Sequence, residues 1–144
     1  MAHKNKLAFT TVTALFLIGI VPGAVLDIAQ PDFVVEMGGV LGVPLGLFAL
    51  IGVWKLLGVV ALGAPLLRRL GPNAERVREW AYAGFFFDLT GAAYLHAAAG
   101  DVAGVAPPLV FAALLLTSYS LRPSAAETPA TRQREDLRAV PVAA

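Results

Sequence analysis

Residues 41–62, LGVPLGLFALIGVWKLLGVVAL, form an unbroken apolar run with one charge, Lys55, near its centre. No soluble helix needs that length of uncharged sequence, and a membrane helix does not carry a central ammonium without a compensating partner. The whole chain shares the bias: 58% of its residues are hydrophobic and 15% charged, with mean hydropathy +0.72. An ordinary globular surface is far more polar than this. At 144 residues the length fits one compact domain.

Three further apolar runs accompany the first. Residues 7–26 hold no charge and are long enough to cross a hydrocarbon core of about 30 Å at about 1.5 Å per residue. Lys4 and Lys6 ahead of this run, with small residues at Gly23-Ala24, also fit a signal peptide; that reading ranks second, because the other runs need a membrane anyway. Pro22 is expected to kink or end the helix. Residues 27–43 read as an exposed acidic loop with one interfacial turn around Phe33 to Met37. The second span is placed at 44–67, opened by Pro44 and stopped by Arg68-Arg69. Residues 70–79 read as a polar link broken at Gly71-Pro72-Asn73. The third span is 81–99, with Trp80 and Tyr82 as interfacial aromatics. The fourth is 104–121, where Pro107-Pro108 either starts the helix or kinks it. Residues 1–122 thus form a membrane domain and 123–144 a disordered cytoplasmic tail.

Charge placement orients the spans. With both termini in the cytoplasm, ten of the eleven basic residues fall inside, and the eleventh is Lys55 in the membrane. The outer loops then hold Asp27, Asp32, Glu36 and Asp101 and no base, as positive-inside sorting requires. The expected fold is an all-α four-helix transmembrane bundle in the inner (plasma) membrane, with the lipid bilayer as its first partner.

Lys55 and Asp88 fall at nearly the same depth. Lys55 is eleven residues past Pro44 on an inward helix, about 16 Å down. Asp88 is eight residues past Trp80 on an outward helix, about 12 Å up. Each costs at least about 2.5 kcal/mol alone at the bilayer centre, so a Lys55–Asp88 contact or a shared polar cavity is expected. Ala81, Gly84, Gly91, Ala92, Leu95 and Ala99 share the Asp88 face, which predicts that this face turns inward and that the opposite one, with Tyr82, Phe86, Phe87, Thr90 and Tyr94, meets lipid. Gly52 and Gly58 flank Lys55 at about 60° to either side, consistent with a close neighbour.

Two readings stand equally: a lock that fixes helix register, or a polar site for an anion, a quinone headgroup or a proton. His96 is about 80° from Asp88, so it either looks into the same vestibule or hydrogen-bonds a loop. Trp54 either roofs a cavity or, preferably, faces lipid; Asp27 reads as a solvated end charge. Ser118, Tyr119 and Ser120 offer hydroxyls near the inner boundary. Without cysteine, thiolate metal sites and iron–sulfur clusters are excluded, and two histidines give no self-contained haem or zinc site. A net charge of +1 gives no case for nucleic acid.

LGVP and GVWKLLG within 41–62, REWAYAGFFFDLTGA at 78–92, LHAAAGD at 95–101 and SYSLRP at 118–123 together resemble the DoxX-like family of small bacterial membrane proteins. The resemblance covers about residues 7 to 123, and Lys55, Glu79, Trp80, Asp88, His96, Gly100 and Asp101 match its polar signature. It implies a four-helix bundle and an accessory role beside a membrane oxidoreductase, with a quinone as the associated cofactor. The DoxX name itself belongs to a small subunit of a thiosulfate:quinone oxidoreductase. With no redox centre of its own, the chain is expected to hold a quinone or anchor a partner rather than act as an enzyme alone. The rival readings are a small transporter or proton pathway through Lys55, Asp88 and His96, which would need homo-oligomers for lack of inverted repeats, and a purely structural bundle.

Overall fold

The computed structural model describes residues 2–63 and 72–122. Arg68-Arg69, the expected close of the second span and the tail 123–144 lie outside them. Among the described residues there are five helices and no strand: α1 (Ala2–Ala29), α2 (Asp32–Leu41), α3 (Leu45–Gly63), α4 (Pro72–Ala98) and α5 (Val102–Leu121). Three stretches are long and apolar enough to cross a membrane, Lys6–Ala29, Leu45–Gly63 and Val102–Leu121. Helix α4 falls short of that hydropathy because Asp88, His96, two tyrosines and two glycines dilute its apolar half.

The four long helices close a ring of contacts: α1 packs on α3 and α5, and α4 packs on α3 and α5. Their shared core is Phe16, Ile20, Tyr82, Phe85, Leu89, Ala112 and Leu115. Phe16 meets Phe85 edge-on with ring centroids 5.0 Å apart, a geometry that adds about 0.5–1.5 kcal/mol beyond area burial. Beside it, Ser118 of α5 bonds Thr13 of α1 at 2.6 Å and Tyr82 of α4 at 2.9 Å. Three helices are thereby tied through one buried hydroxyl, a common way to hold helices together where burial of apolar surface gives no net drive.

Several expectations are corrected here. Helix α1 runs through Pro22 to Ala29; a proline within a long helix is tolerated where neighbours satisfy the freed carbonyl. The segment expected to be a loop carries α2, ended by Gly42 in the left-handed conformation. Pro72 does not break a helix but begins one, the position where its missing N–H costs nothing. Pro107 and Pro108 lie inside α5, which starts at Val102. Tyr82, expected to meet lipid, is buried in the core.

Candidate functional site

Helix α1 buries Thr13, Phe16, Ile20, Ala24 and Asp27. That 3-4-4-3 spacing is one inward seam of a helix packed at a shallow angle, and it carries Asp27 into the molecule. Across from it, α3 presents Gly52. A Cβ there would come within 2.7 Å of the Ala24 carbonyl oxygen and 3.0 Å of Asp27 Cβ, so only glycine lets the two backbones approach this closely. Side chains on a helix lean toward its N-terminus. Lys55 therefore leans back over the turn holding Gly52, and its Nζ donates to Asp27 Oδ2 at 2.8 Å.

The second glycine flanking Lys55 does the same for α4. Gly58 receives the ring of Phe85, whose atoms would lie 2.6–2.7 Å from a Cβ at that position. Three residues along α4, Asp88 places Oδ2 3.5 Å from the Lys55 ammonium. Lys55, Asp27 and Asp88 thus form a triad from three helices, with side-chain exposures of 16%, 13% and 18%. The triad is not symmetric. Asp27 accepts a hydrogen bond from Lys55, whereas Asp88 Oδ2 is buried and accepts none among the described residues.

Asp88 and Lys55 also line a groove of about 670 Å³ between α3 and α4. It is bounded by Trp54, Leu57, Trp80 and Phe87, all more than half exposed, so it opens sideways along the seam. The small-residue face of α4, expected to pack inward, instead forms part of this groove through Ala81 and Gly84. A Cβ on Gly84 would meet nothing within 4 Å. Trp54 is both a wall of the groove and 60% exposed, so its two sequence readings coexist. The size suits a drug-sized or lipid-sized ligand, and an apolar wall with a few placed polar groups is the usual form of such a site.

The structure brings Lys55 and Asp88 together and leaves His96 apart from them. His96 Nδ1 is 2.8 Å from Asp101 Oδ2 at the junction of α4 and α5. Asp101 accepts also from the Gly104 backbone N–H at 3.0 Å and so caps α5. The Gly104 bond and the His96 bond together hold the Asp101 carboxyl below its ordinary value. The residue that sequence reasoning misplaced is Asp27, taken for a solvated end charge. Its signal was available in the Thr13–Phe16–Ile20–Ala24–Asp27 seam, hidden by the expectation that Pro22 ends the helix.

At the opposite end of the core, Arg122 pairs with Glu79 and reaches Glu75 at 3.2 Å, while its guanidinium lies 4.0 Å over the Tyr119 ring. Tyr119 in turn donates to Glu79 at 3.2 Å. This cluster staples α4 to α5 and lies outside the groove. Among the described residues no group of three or more His, Cys, Asp or Glu side chains could hold a metal ion.

A sequence model described as the DoxX-like family matches residues 11–118. No curated protein and no solved structure shows significant similarity to the chain.

Proposed function

The chain belongs to the DoxX-like family, and from that premise we propose that it is an accessory inner-membrane component whose α3–α4 groove holds a membrane-soluble amphiphile beside a partner oxidoreductase. It crosses the membrane four times, with both termini in the cytoplasm, and it does no chemistry alone. One observation carries this reading: a groove open along the molecule's side has Lys55 and Asp88 set in an otherwise apolar wall. An amphiphile would enter laterally from the bilayer, leave its tail along Trp80 and Leu57, and set its polar head against the charged pair. A quinone is the class that membrane oxidoreductases use, and it is the first neutral ligand to try.

Both tryptophans of the chain, Trp54 and Trp80, line the groove, so intrinsic fluorescence reports its occupancy. In nanodiscs, a short-chain quinone is expected to quench this fluorescence saturably. Gly84→Leu would project a side chain into open space inside the groove; it should abolish saturable quenching while leaving helicity by circular dichroism unchanged. Quenching that is linear in quinone, and equal in both proteins, would overturn quinone as the occupant.

A second reading, that the triad only fixes helix register, is favoured by the direct Lys55–Asp27 bond at 2.8 Å. It predicts that a neutral triad leaves all biological activity intact.

A further inference from the structure

Charge counting at the groove narrows the class of ligand, and this step rests on the groove reading above. The part-buried triad contributes two carboxylates and one ammonium. Lys55 is neutralised by Asp27, on which it is hydrogen-bonded at 2.8 Å. Asp88, whose Oδ2 lies at 3.5 Å and accepts no hydrogen bond among the described residues, is the surplus negative charge, and it is the acid of the two that lines the groove. Of the other charged side chains of the packed elements, Asp32 and Glu36 on α2 and Arg76 and Arg78 on α4 stand outside the groove lining. Helix α5 holds no charged residue, Glu79 and His96 lie nine and eight residues away along α4, and both are engaged elsewhere.

An unbalanced carboxylate inside an apolar region is costly unless a positive charge joins it. A small inorganic cation does not fit. It needs several oxygens in place of its hydration shell, and Asp88 is the single oxygen-bearing side chain among the lining residues. An organic cation needs only charge, apolar surface and aromatic faces. Trp54, next to Lys55 in sequence, and Phe87, next to Asp88, both line the groove, and such rings attract cations.

We propose that the α3–α4 groove binds a monovalent organic cation with a largely apolar body, with Asp88 as its counter-ion and the Lys55–Asp27 pair as the neutral floor beneath it. Asp88 is then a binding residue, and Asp27 acts as a positioning residue by holding the Lys55 charge away from the ligand. Protons compete with the cation for the same carboxylate, so binding weakens as the medium is acidified.

The test uses two probes of the same shape and opposite charge, tetraphenylphosphonium and tetraphenylborate, with the full chain in phosphatidylcholine nanodiscs. Binding is read by tryptophan fluorescence and by equilibrium dialysis against empty discs. Tetraphenylphosphonium is expected to bind saturably and at least tenfold more tightly than tetraphenylborate, after correction for partition into the empty discs. Asp88→Asn should erase that preference. Asp27→Asn removes the same surplus charge from outside the groove and should erase it as well, which keeps the test decisive if the first variant fails to fold. Equal binding of both probes, or of decylubiquinone alone, with blockage by Gly84→Leu, would overturn the charge assignment and leave the groove reading standing. Absence of saturable binding by any of the three would overturn both.

Discussion

Lys55 is the residue on which the interior depends. Its ammonium separates a buried carboxylate from α1 and a half-buried one from α4. Removing it by Lys55→Met leaves those acids uncompensated in a medium of low dielectric constant, a change that costs about 3–5 kcal/mol in comparable buried pairs. Unfolding in mixed micelles should register a loss of that order. Neutralising all three positions (Lys55→Met, Asp27→Asn, Asp88→Asn) should recover most of it, because no unpaired charge is left. If that triple variant also retains full biological activity, the triad is a lock and nothing more. The meeting of Lys55 and Asp88 was legible in the sequence because depth can be counted in residues from each membrane boundary. Asp27 was not legible by the same count, since its depth depends on whether a helix continues past Pro22, and that is decided by neighbouring helices rather than by the proline itself. The face of α4 was misjudged for a related reason. Small residues mark a close approach only if a neighbour fills the space, and beside Gly84 the neighbour is absent. Of the side expected to meet lipid, Phe86, Phe87 and Tyr94 are exposed, and Tyr82 alone turns with Phe85 into the core.

Among the elements, the α4–α5 corner turns on Asp101. Its carboxylate caps α5 through the Gly104 N–H and also takes the His96 Nδ1 contact. Because the folded carboxyl titrates below its ordinary value of 3.8, its contribution is fully present above that value and is lost as pH falls through the lowered one. Hydrogen exchange at the Gly104 amide should therefore quicken, relative to the intrinsic rate, only in strong acid. Asp101→Asn keeps an acceptor for that amide and should remove the acid dependence, whereas Asp101→Ala should speed exchange at neutral pH. Insensitivity of Gly104 exchange to both substitutions would show that the cap contributes nothing. That α5 begins ahead of its two prolines follows from this same acid. Pro107 and Pro108 come after the first turn is already closed by Asp101, so neither has to start the helix. Sequence hydropathy marked where the apolar segment lies; the capping bond decides where the helix begins.

At the scale of the molecule, the proposed four-span arrangement with cytoplasmic ends makes a simple demand on accessibility. The chain has no cysteine, so single cysteines report without background. Glu36→Cys on α2 should react with a membrane-impermeant maleimide in spheroplasts, and Asn73→Cys at the start of α4 should react only after lysis. A third site just beyond α4, Ala99→Cys, should react from outside as Glu36→Cys does; its protection in spheroplasts would place α4 on the inner membrane surface and reduce the spans to three. The antiparallel docking of α4 against apolar α5, across a connection of three residues, favours the first outcome. Hydropathy alone undervalues α4: an acid, a histidine and two glycines lower its score, although it closes the ring of helices between α3 and α5.

Helix α1 is fastened at two points on one seam, Thr13 to Ser118 and Asp27 to Lys55. They are fourteen residues apart, about 21 Å along the axis. A rotation or slide of α1 by a single residue would undo both fastenings together, so α1 behaves as a fixed jamb set against α5 and α3. Any breathing that widens the lateral opening falls on the α3–α4 seam, where the long contact of Asp88 is the sole link of α4 to the triad, while Tyr82–Ser118 and Arg122–Glu79 latch α4 to α5 like a door frame.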